Sequence, residues 1–125
     1  MKSKASFPRE EKLKQRSHFE LLYAEGSNFA YYPLAVRYRW TTREGKGLGK
    51  AGFSVSKRRF KKAVHRNRIK RRLREAYRLQ KEQLEMKPGV ELHVLFIYMP
   101  GKELAFKELY SSMEKILQRL HNEHP

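Results

Sequence analysis

Apolar residues recur along the chain at two spacings, one typical of strands and the other typical of helices. In residues 33–41 every second side chain from Leu34 to Trp40 is large and apolar, and Arg37 and Arg39 lie on the opposite side. This alternation predicts a half-buried strand with a basic outer face.

Three other segments predict strands. Residues 90–98 are mostly apolar, which is typical of a buried strand. Residues 51–56 form a further candidate, and the glycine-rich residues 42–49 before them predict a flexible hairpin loop. Residues 27–31 are a weaker candidate for a short additional strand.

A short helix is predicted over residues 17–25. Ser17 and Glu20 have the spacing of a capping box, and Gly26 suits the end of the helix. Three large side chains of this helix share one face because they lie three or four positions apart. These are Phe19, Leu22 and Tyr23.

Two longer helices are predicted, each with an apolar stripe at helical spacing. The first covers residues 61–86 and ends before a Pro-Gly pair. Its stripe consists of Ile69, Leu73, Ala76 and Tyr77. The last covers residues 103–121. Its stripe consists of Leu104, Leu109, Met113, Ile116, Leu117 and Leu120.

The order of these elements, α-β-β-(β)-α-β-α, predicts an α+β fold. We expect a single domain over residues 1–125, a sandwich in which a mixed sheet is covered on one face by helices. A chain of 125 residues is long enough for one modest core and too short for two. Residues 1–16 are polar and predict a mobile basic arm.

The net charge of the chain indicates the class of molecule that it binds. The formal net charge is +16, which far exceeds what solubility requires. It implies an anionic partner: a nucleic acid, an acidic membrane surface or, less often, an acidic protein. The chain has no cysteine, which excludes disulfides and thiolate metal sites. It also has no apolar run near the roughly 18 residues that a membrane span needs. We therefore expect a cytoplasmic protein with no membrane partner.

Most of the charge lies in one segment. Residues 57–78 contain 12 lysines and arginines and one glutamate, which is +11 of the total of +16. Like charges four positions apart on a helix repel each other, and phosphates between them relieve that repulsion. The planar guanidinium group of arginine suits such contacts. On a helical wheel, the candidate contact stripe contains Asn67, Lys70, Arg71, Arg74 and Arg78.

The basic segment also has a specific order of residues. A strand that ends in Ser-Val-Ser-Lys leads into the hexapeptide Arg-Asn-Arg-Ile-Lys-Arg at 66–71, which Arg74 follows. With this motif, and with Phe19 and Tyr23 in the first helix, the chain resembles the bacterial ribonuclease P protein family over about residues 12–120.

The resemblance implies a function within a ribonucleoprotein. In that family the protein joins a catalytic RNA, and together they remove the 5′ leader from precursor tRNA. The RNA carries the active site and its Mg²⁺, so we expect no catalytic residue, no metal ligand and no cofactor in the protein alone. The expected partners are the ribonuclease P RNA and precursor tRNA, with no obligate protein partner. A left-handed β-α-β crossover is also implied, whereas general rules of topology favour the right-handed form.

Two sets of candidate site residues follow. RNA contacts in the basic helix are implied at Arg66, Asn67, Arg68, Lys70, Arg71 and Arg74, to which the helical wheel adds Arg78. A cleft for the leader is implied between the first helix and the sheet, lined by Phe19 and Tyr23 with Lys57 at its edge. Plain core packing of the two rings is the alternative. Arg37 and Arg39 are assigned to this cleft from the strand pattern, and after the last strand only Lys102 is basic.

Several other functions are alternatives. A ribosomal or RNA-chaperone protein would have the same composition. A membrane-surface helix is disfavoured because the apolar stripe is narrow, and a double-stranded DNA binder is disfavoured because no dimer seam is visible. An autonomous nuclease is disfavoured because the chain has no aspartate and its five histidines do not converge in one motif.

Overall fold

A four-stranded mixed sheet forms the centre of the protein. The structure is a computed structural model that describes Phe7 and residues 9–42, 49–84 and 89–123. The strands are β1 (Ser27–Tyr31), β2 (Leu34–Thr42), β3 (Lys50–Val55) and β4 (Val90–Tyr98), in the spatial order β1-β2-β4-β3. β2 pairs antiparallel with β1 and with β4, whereas β3 pairs parallel with β4. The weak candidate strand at residues 27–31 is therefore an edge strand.

Three helices cover the two faces of this sheet. They are α1 (Arg16–Glu25), α2 (Ala63–Gln80), which continues into a 3-10 turn (Lys81–Leu84), and α3 (Phe106–Asn122). α2 and α3 pack on one face, and α1 packs on the other. The predicted α+β domain with a mixed sheet is confirmed. The expectation that helices cover only one face is wrong, because α1 covers the second face.

β4 is the reason that both faces are covered. Its side chains alternate between the two faces, and Leu92, Val94 and Phe96 lie in the core under α2 and α3. Leu95 belongs to a second cluster with the fully buried Leu22 of α1. A strand that is apolar on both sides needs cover on both sides, so a helix on one face alone would leave β4 half exposed.

The predicted hairpin between the second and third strands does not form. β4 lies between β2 and β3, and each of these strands pairs with β4 instead. β4 takes this position because its apolar side chains are best buried in the middle of the sheet. Residues 43–48 of the predicted loop lie outside the described residues. β3, α2 and β4 form a β-α-β unit with parallel strands, whose left-handedness stays a prediction.

The start of α1 differs from the prediction. The helix begins at Arg16 with Gln15 as its N-cap, and no side chain caps it, so the capping box of Ser17 and Glu20 is wrong. The carboxylate of Glu20 accepts a hydrogen bond from Nε of Arg16 at 3.0 Å. Glu20 is thus paired along the helix surface and does not reach back to the helix start.

α2 and α3 are shorter than predicted. α2 ends at Gln80, where the chain tightens into the 3-10 turn, and residues 85–86 lie outside the described residues. α3 begins later than predicted, at Phe106. The amide of Leu104 donates to Oη of Tyr98 at 3.0 Å, which holds this segment extended before the helix. Leu104 still packs against the core, although it is not part of the helical stripe.

Part of the predicted mobile arm, residues 1–16, is packed against the domain. The ring of Phe7 packs edge-on against that of Tyr77, with 5.7 Å between ring centroids. Leu13 is buried in the cluster under α1. Burial of these two apolar side chains stabilises the segment against the domain, so the prediction of a mobile arm is wrong at both positions.

Gly26 ends α1, as the sequence predicted. Its amide donates to the carbonyl oxygen of Leu22 at 2.9 Å, and a Cβ at this position would collide with that oxygen and lie 3.0 Å from the carbonyl oxygen of Tyr38. Both neighbours are backbone atoms, so Gly26→Ala should lower the free energy of unfolding by about 1–3 kcal/mol. Urea denaturation measures this change. Gly101→Ala is the matched control, because a Cβ there meets no described atom within 4 Å. Equal losses in both variants would contradict this account.

Candidate nucleic-acid interface

α2 presents its charges outward because its other side is fixed in the core. The buried stripe contains the predicted residues Ile69, Leu73, Ala76 and Tyr77, with Gln80 in addition. Four residues of the predicted contact stripe have no hydrogen-bond or ion-pair partner within the described part of the chain. We call them the basic surface: Asn67, Lys70, Arg71 and Arg74. Three uncompensated cations therefore lie within little more than one turn of one helix.

Two other predicted contact residues are held by the protein itself. Arg66 donates to the carbonyl oxygens of Phe60 and Lys61 at 2.7 and 2.9 Å, which fixes the turn into α2. Arg78 is paired with Glu75, with 3.0 Å between Nε and Oε2. Their hydrogen bond lowers the pKa of Glu75 and raises that of Arg78. Both guanidinium groups are therefore less available to a phosphate than those of the basic surface.

Glu103 connects α2 with the segment before α3. Its carboxylate accepts two hydrogen bonds from Arg68, from Nε at 2.7 Å and from Nη2 at 3.1 Å. Nδ1 of His65 lies 3.2 Å from the same carboxylate, and Nη1 of Arg72 lies 3.7 Å from it. The hydrogen bond from Arg68 lowers the pKa of Glu103, so this carboxylate stays ionised.

No pattern in the sequence predicts the pairing of Arg68 with Glu103. The two residues are 35 positions apart, so no helical or strand spacing relates them. A lone acidic residue next to Lys102, in a strongly basic chain, is the only feature that marks Glu103.

Phe19 and Tyr23 have different environments on α1. Phe19 is half-buried against the cluster of Leu13, Leu22 and Leu95. Tyr23 is 56% exposed. Of the two alternatives that the sequence left open, core packing therefore describes Phe19, whereas Tyr23 presents its ring to the solvent.

Arg37 and Arg39 hold the C-terminal end of α1. Nε of Arg37 donates to the carbonyl oxygen of Leu22 at 3.0 Å, and its Nη2 donates to that of Tyr23. The guanidinium carbon of Arg37 also lies 5.2 Å from the centre of the Tyr23 ring. Nη2 of Arg39 lies 3.3 Å from Oε2 of Glu25. Cations at this end of a helix complement its dipole and its unpaired carbonyls, so both arginines fix α1 on the sheet. We call Phe19, Tyr23, Arg37 and Arg39 the α1 face.

The edges of the predicted leader cleft are basic on one side only. Lys57 is exposed in the turn after β3. Directly after β4, the exposed side chain of Met99 is apolar. Lys102, the one basic residue that the sequence offered there, lines a cavity beside α3 instead.

Two histidines, the half-buried His18 and the buried His93, meet between α1 and the sheet. The rings of His18 and His93 are 4.7 Å apart, and both nitrogens of His93 lack a hydrogen-bond partner among the described residues. Oε2 of Glu91 lies 3.4 Å from Nε2 of His93. Burial lowers the pKa of His93, and this effect is larger than the increase in pKa that the nearby Glu91 causes. His93 is therefore neutral at neutral pH.

These features define a class of protein. The domain is small and has an α+β fold, and one helix carries a row of uncompensated cations on a chain of net charge +16. Such a concentration of charge on one face is typical of nucleic-acid-binding proteins. In the part of the chain that the structure describes, no helix is long and apolar enough to cross a membrane, and no group of three or more His or Glu residues could hold a metal ion.

Comparison with known proteins shows the family. A family model described as Ribonuclease P matches residues 7–121, and the chain belongs to this family. The family function is that of a subunit of ribonuclease P, so the chain acts in tRNA processing with an RNA partner. A ribosomal or RNA-chaperone protein without a catalytic partner is not favoured.

Relatives match the chain over most of its length. The ribonuclease P protein component of Porphyromonas gingivalis is 34% identical, over 96% of this chain and 91% of that protein. The component from Clostridioides difficile is 32% identical, over 90% of this chain and 94% of that protein. The solved structure of the Staphylococcus aureus RNase P protein has a TM-score of 0.66 at 25% identity, over 87% of this chain and 94% of that one. The Thermotoga maritima protein has a TM-score of 0.68 at 24% identity, over 87% and 96%, and shows the same fold.

The basic surface should control the salt dependence of binding to the partner RNA. Each cation that neutralises a phosphate displaces counterions, so Arg71→Ala with Arg74→Ala should flatten the slope of log K against log salt by about one to two units. Lys14→Ala with Lys115→Ala is the matched control, because it removes the same charge from exposed positions outside α2. An equal change in both double variants would remove Arg71 and Arg74 from the phosphate contacts.

The buried His93 predicts a loss of stability in mild acid. Its pKa in the folded protein lies below the ordinary value of 6.5, so below that pH the unfolded chain binds a proton that the folded chain resists. This contribution to stability is complete above about pH 6.5 and decreases toward acid by at most about 1.4 kcal/mol per pH unit. Urea denaturation between about pH 7.5 and 5.5 measures the slope. His93→Leu should reduce this slope, and an unchanged slope in that variant would assign the acid sensitivity to other groups.

Proposed function

We propose that this protein helps a catalytic RNA to remove the 5′ leader from precursor tRNA by binding both RNAs. The catalytic groups and the Mg²⁺ belong to the RNA, and the protein supplies binding surfaces. One observation carries this proposal. The basic surface lies on a helix on one side of the sheet, and the exposed Tyr23 with its bound Arg37 lies on the other side. Two separate surfaces let one small domain hold two RNA segments at once.

The basic surface binds the backbone of the catalytic RNA. Repulsion among Lys70, Arg71 and Arg74 has no acidic relief within the described residues, and phosphates placed between them provide it. Arg68 contributes a further contact where a phosphate displaces the carboxylate of Glu103. Arg66 and Arg78 contribute less, because protein groups already occupy their guanidinium nitrogens.

The leader of the precursor binds at the α1 face. Single-stranded RNA is held by exposed aromatic rings that stand beside cations. Tyr23 supplies the ring, and Arg37 lies against it at 5.2 Å, which limits the orientations that the ring can take. Arg39 and Lys57 add positive charge near the bound leader. Phe19 acts indirectly, since its packing holds α1 in place.

Reconstitution tests the proposed function. With its cognate catalytic RNA and a labelled precursor tRNA, the protein should raise kcat/KM for release of the leader, because it adds binding energy for the substrate. The protein without RNA should release no leader. Cleavage by the protein alone, or no change in the activity of the RNA, would contradict the proposal.

Tyr23→Ala should weaken the binding of a precursor with a leader of several nucleotides about fivefold or more, because one stacked base contributes about 1–3 kcal/mol. A precursor with a one-nucleotide leader should bind almost as tightly as before. The single-turnover rate at saturation should change little, since binding and not chemistry is lost. Tyr23→Phe keeps the ring and should behave like the wild type.

Protein stability separates this effect from misfolding. Tyr23 is exposed, so Tyr23→Ala should keep the Tm of the wild type, whereas Phe19→Ala should lower it because that ring is packed. A folded Tyr23→Ala protein that loses equal affinity for long and short leaders would show that the α1 face does not bind the leader.

A further inference from the structure

A cavity of about 740 Å³ opens beside α3, on the opposite side of the sheet from α1. The turn between β1 and β2 forms one wall, and the other walls are the segment before α3 and the first turns of that helix. Its volume lies within the range of roughly 300–1,000 Å³ that is usual for small-molecule sites. This cavity is separate from the α1 face and from the basic surface.

The cavity combines an exposed aromatic ring with two cations. Tyr32 is 67% exposed, more than any other large apolar side chain among the described residues. Pro33 and Leu104 add apolar lining, and Lys102 and Lys107 are exposed beside them. A ring next to positive charge is the arrangement that holds a base together with its phosphate.

Hydrogen bonds hold the walls of this cavity in place. Oη of Tyr98 donates to the carbonyl oxygen of Lys102 at 2.6 Å and accepts from the amide of Leu104 at 3.0 Å. Oγ of Ser112 donates to the carbonyl oxygen of Tyr32 at 3.1 Å, which ties the turn to α3. A ligand therefore meets a formed site, and binding costs little ordering of the chain.

The cavity also adjoins α2. Glu103 stands between Lys102 and Leu104 in the chain, and its carboxylate is bound by Arg68 of α2. Nη1 of Arg72 also donates to the carbonyl oxygen of Leu104 at 3.0 Å, so both arginines join the wall of the cavity to the basic helix.

We propose that the cavity binds one unpaired nucleotide of single-stranded RNA, with the base against Tyr32 and the phosphate beside Lys102 and Lys107. Glu108 is the one acidic residue among the described residues of the lining, and it can accept a hydrogen bond from an amino group of the base. The proposal rests on the RNA-binding function proposed above and adds a third contact region to it. The nucleotide belongs to the catalytic RNA or to precursor tRNA, which offer the same chemistry.

An NMR titration of the full chain with adenosine 5′-monophosphate tests the site directly. Saturable shifts are expected at the amides of Tyr32, Leu104 and Lys107, with weaker effects from adenosine or inorganic phosphate alone. Tyr32→Ala should weaken this binding about fivefold or more, through the loss of one stacked base. Tyr31→Ala is the matched control, because this neighbouring tyrosine is 43% exposed but does not line the cavity.

Two results of the titration would overturn the proposal. One is an absence of saturable shifts at the cavity while the amides of α2 respond. The other is an equal response to inorganic phosphate alone, which would assign the effect to charge without the base.

Photo-cross-linking in the assembled complex identifies the source of the nucleotide. With p-benzoylphenylalanine in place of Tyr32, a cross-link to the catalytic RNA or to precursor tRNA supports the site and names its ligand, and a cross-link to neither overturns it. If the wild-type protein stimulates cleavage while Tyr32→Ala binds both RNAs as tightly as the wild type, the cavity proposal fails alone. If the wild-type protein gives no stimulation, the proposed function itself fails.

Discussion

Burial of β4 on both faces is the constraint on which the rest of the molecule depends. Phe96 and its neighbours on one face require the cover of α2 and α3, and Leu95 on the other face requires that of α1 and Leu13. Because cover is needed twice, the protein has two outer surfaces that face away from each other. A sheet with one polar face would need helices on one side only and would place all helical charges there.

α2 keeps its shape although its charges repel one another. The helix carries seven lysines and arginines and one glutamate, and each like-charged pair one turn apart costs a few tenths of a kcal/mol. Burial of a side chain such as Ile69 or Leu73 contributes about 1.5–3 kcal/mol, which exceeds that repulsion. The apolar stripe therefore allows the helix to fold although three of its cations have no partner among the residues that the structure describes. A helix without this anchoring would need acidic neighbours of its own, and these would compete with RNA.

Local patterns in the sequence predicted what depends on neighbours along the chain. The stripe from Ile69 to Tyr77 and the buried strand β4 follow from spacing alone, and Gly26 follows from the end of a helical pattern. The position of α1 on the second face could not be predicted in this way, because it depends on Leu95, which is more than seventy positions from Leu22.

The same limit applies to the candidate site. The motif at 66–71 predicts RNA contacts along α2, but it did not show that Arg68 is already bound to Glu103. Arg37 was placed on the correct face of its strand, yet its hydrogen bonds to the end of α1 depend on how the helix docks. Pairings between distant segments are set by packing, and packing leaves no periodic trace in a single sequence.

The pairing of Arg68 with Glu103 has a thermodynamic consequence. When a phosphate takes the place of this carboxylate, Arg68 exchanges one bound anion for another, and the freed carboxylate of Glu103 attracts a cation that offsets the counterion lost by the phosphate. The number of ions released on binding is therefore smaller than the number of protein cations that contact phosphates. A contact of this kind is insensitive to salt and depends on geometry, so it favours an RNA whose phosphate can reach both guanidinium nitrogens at once.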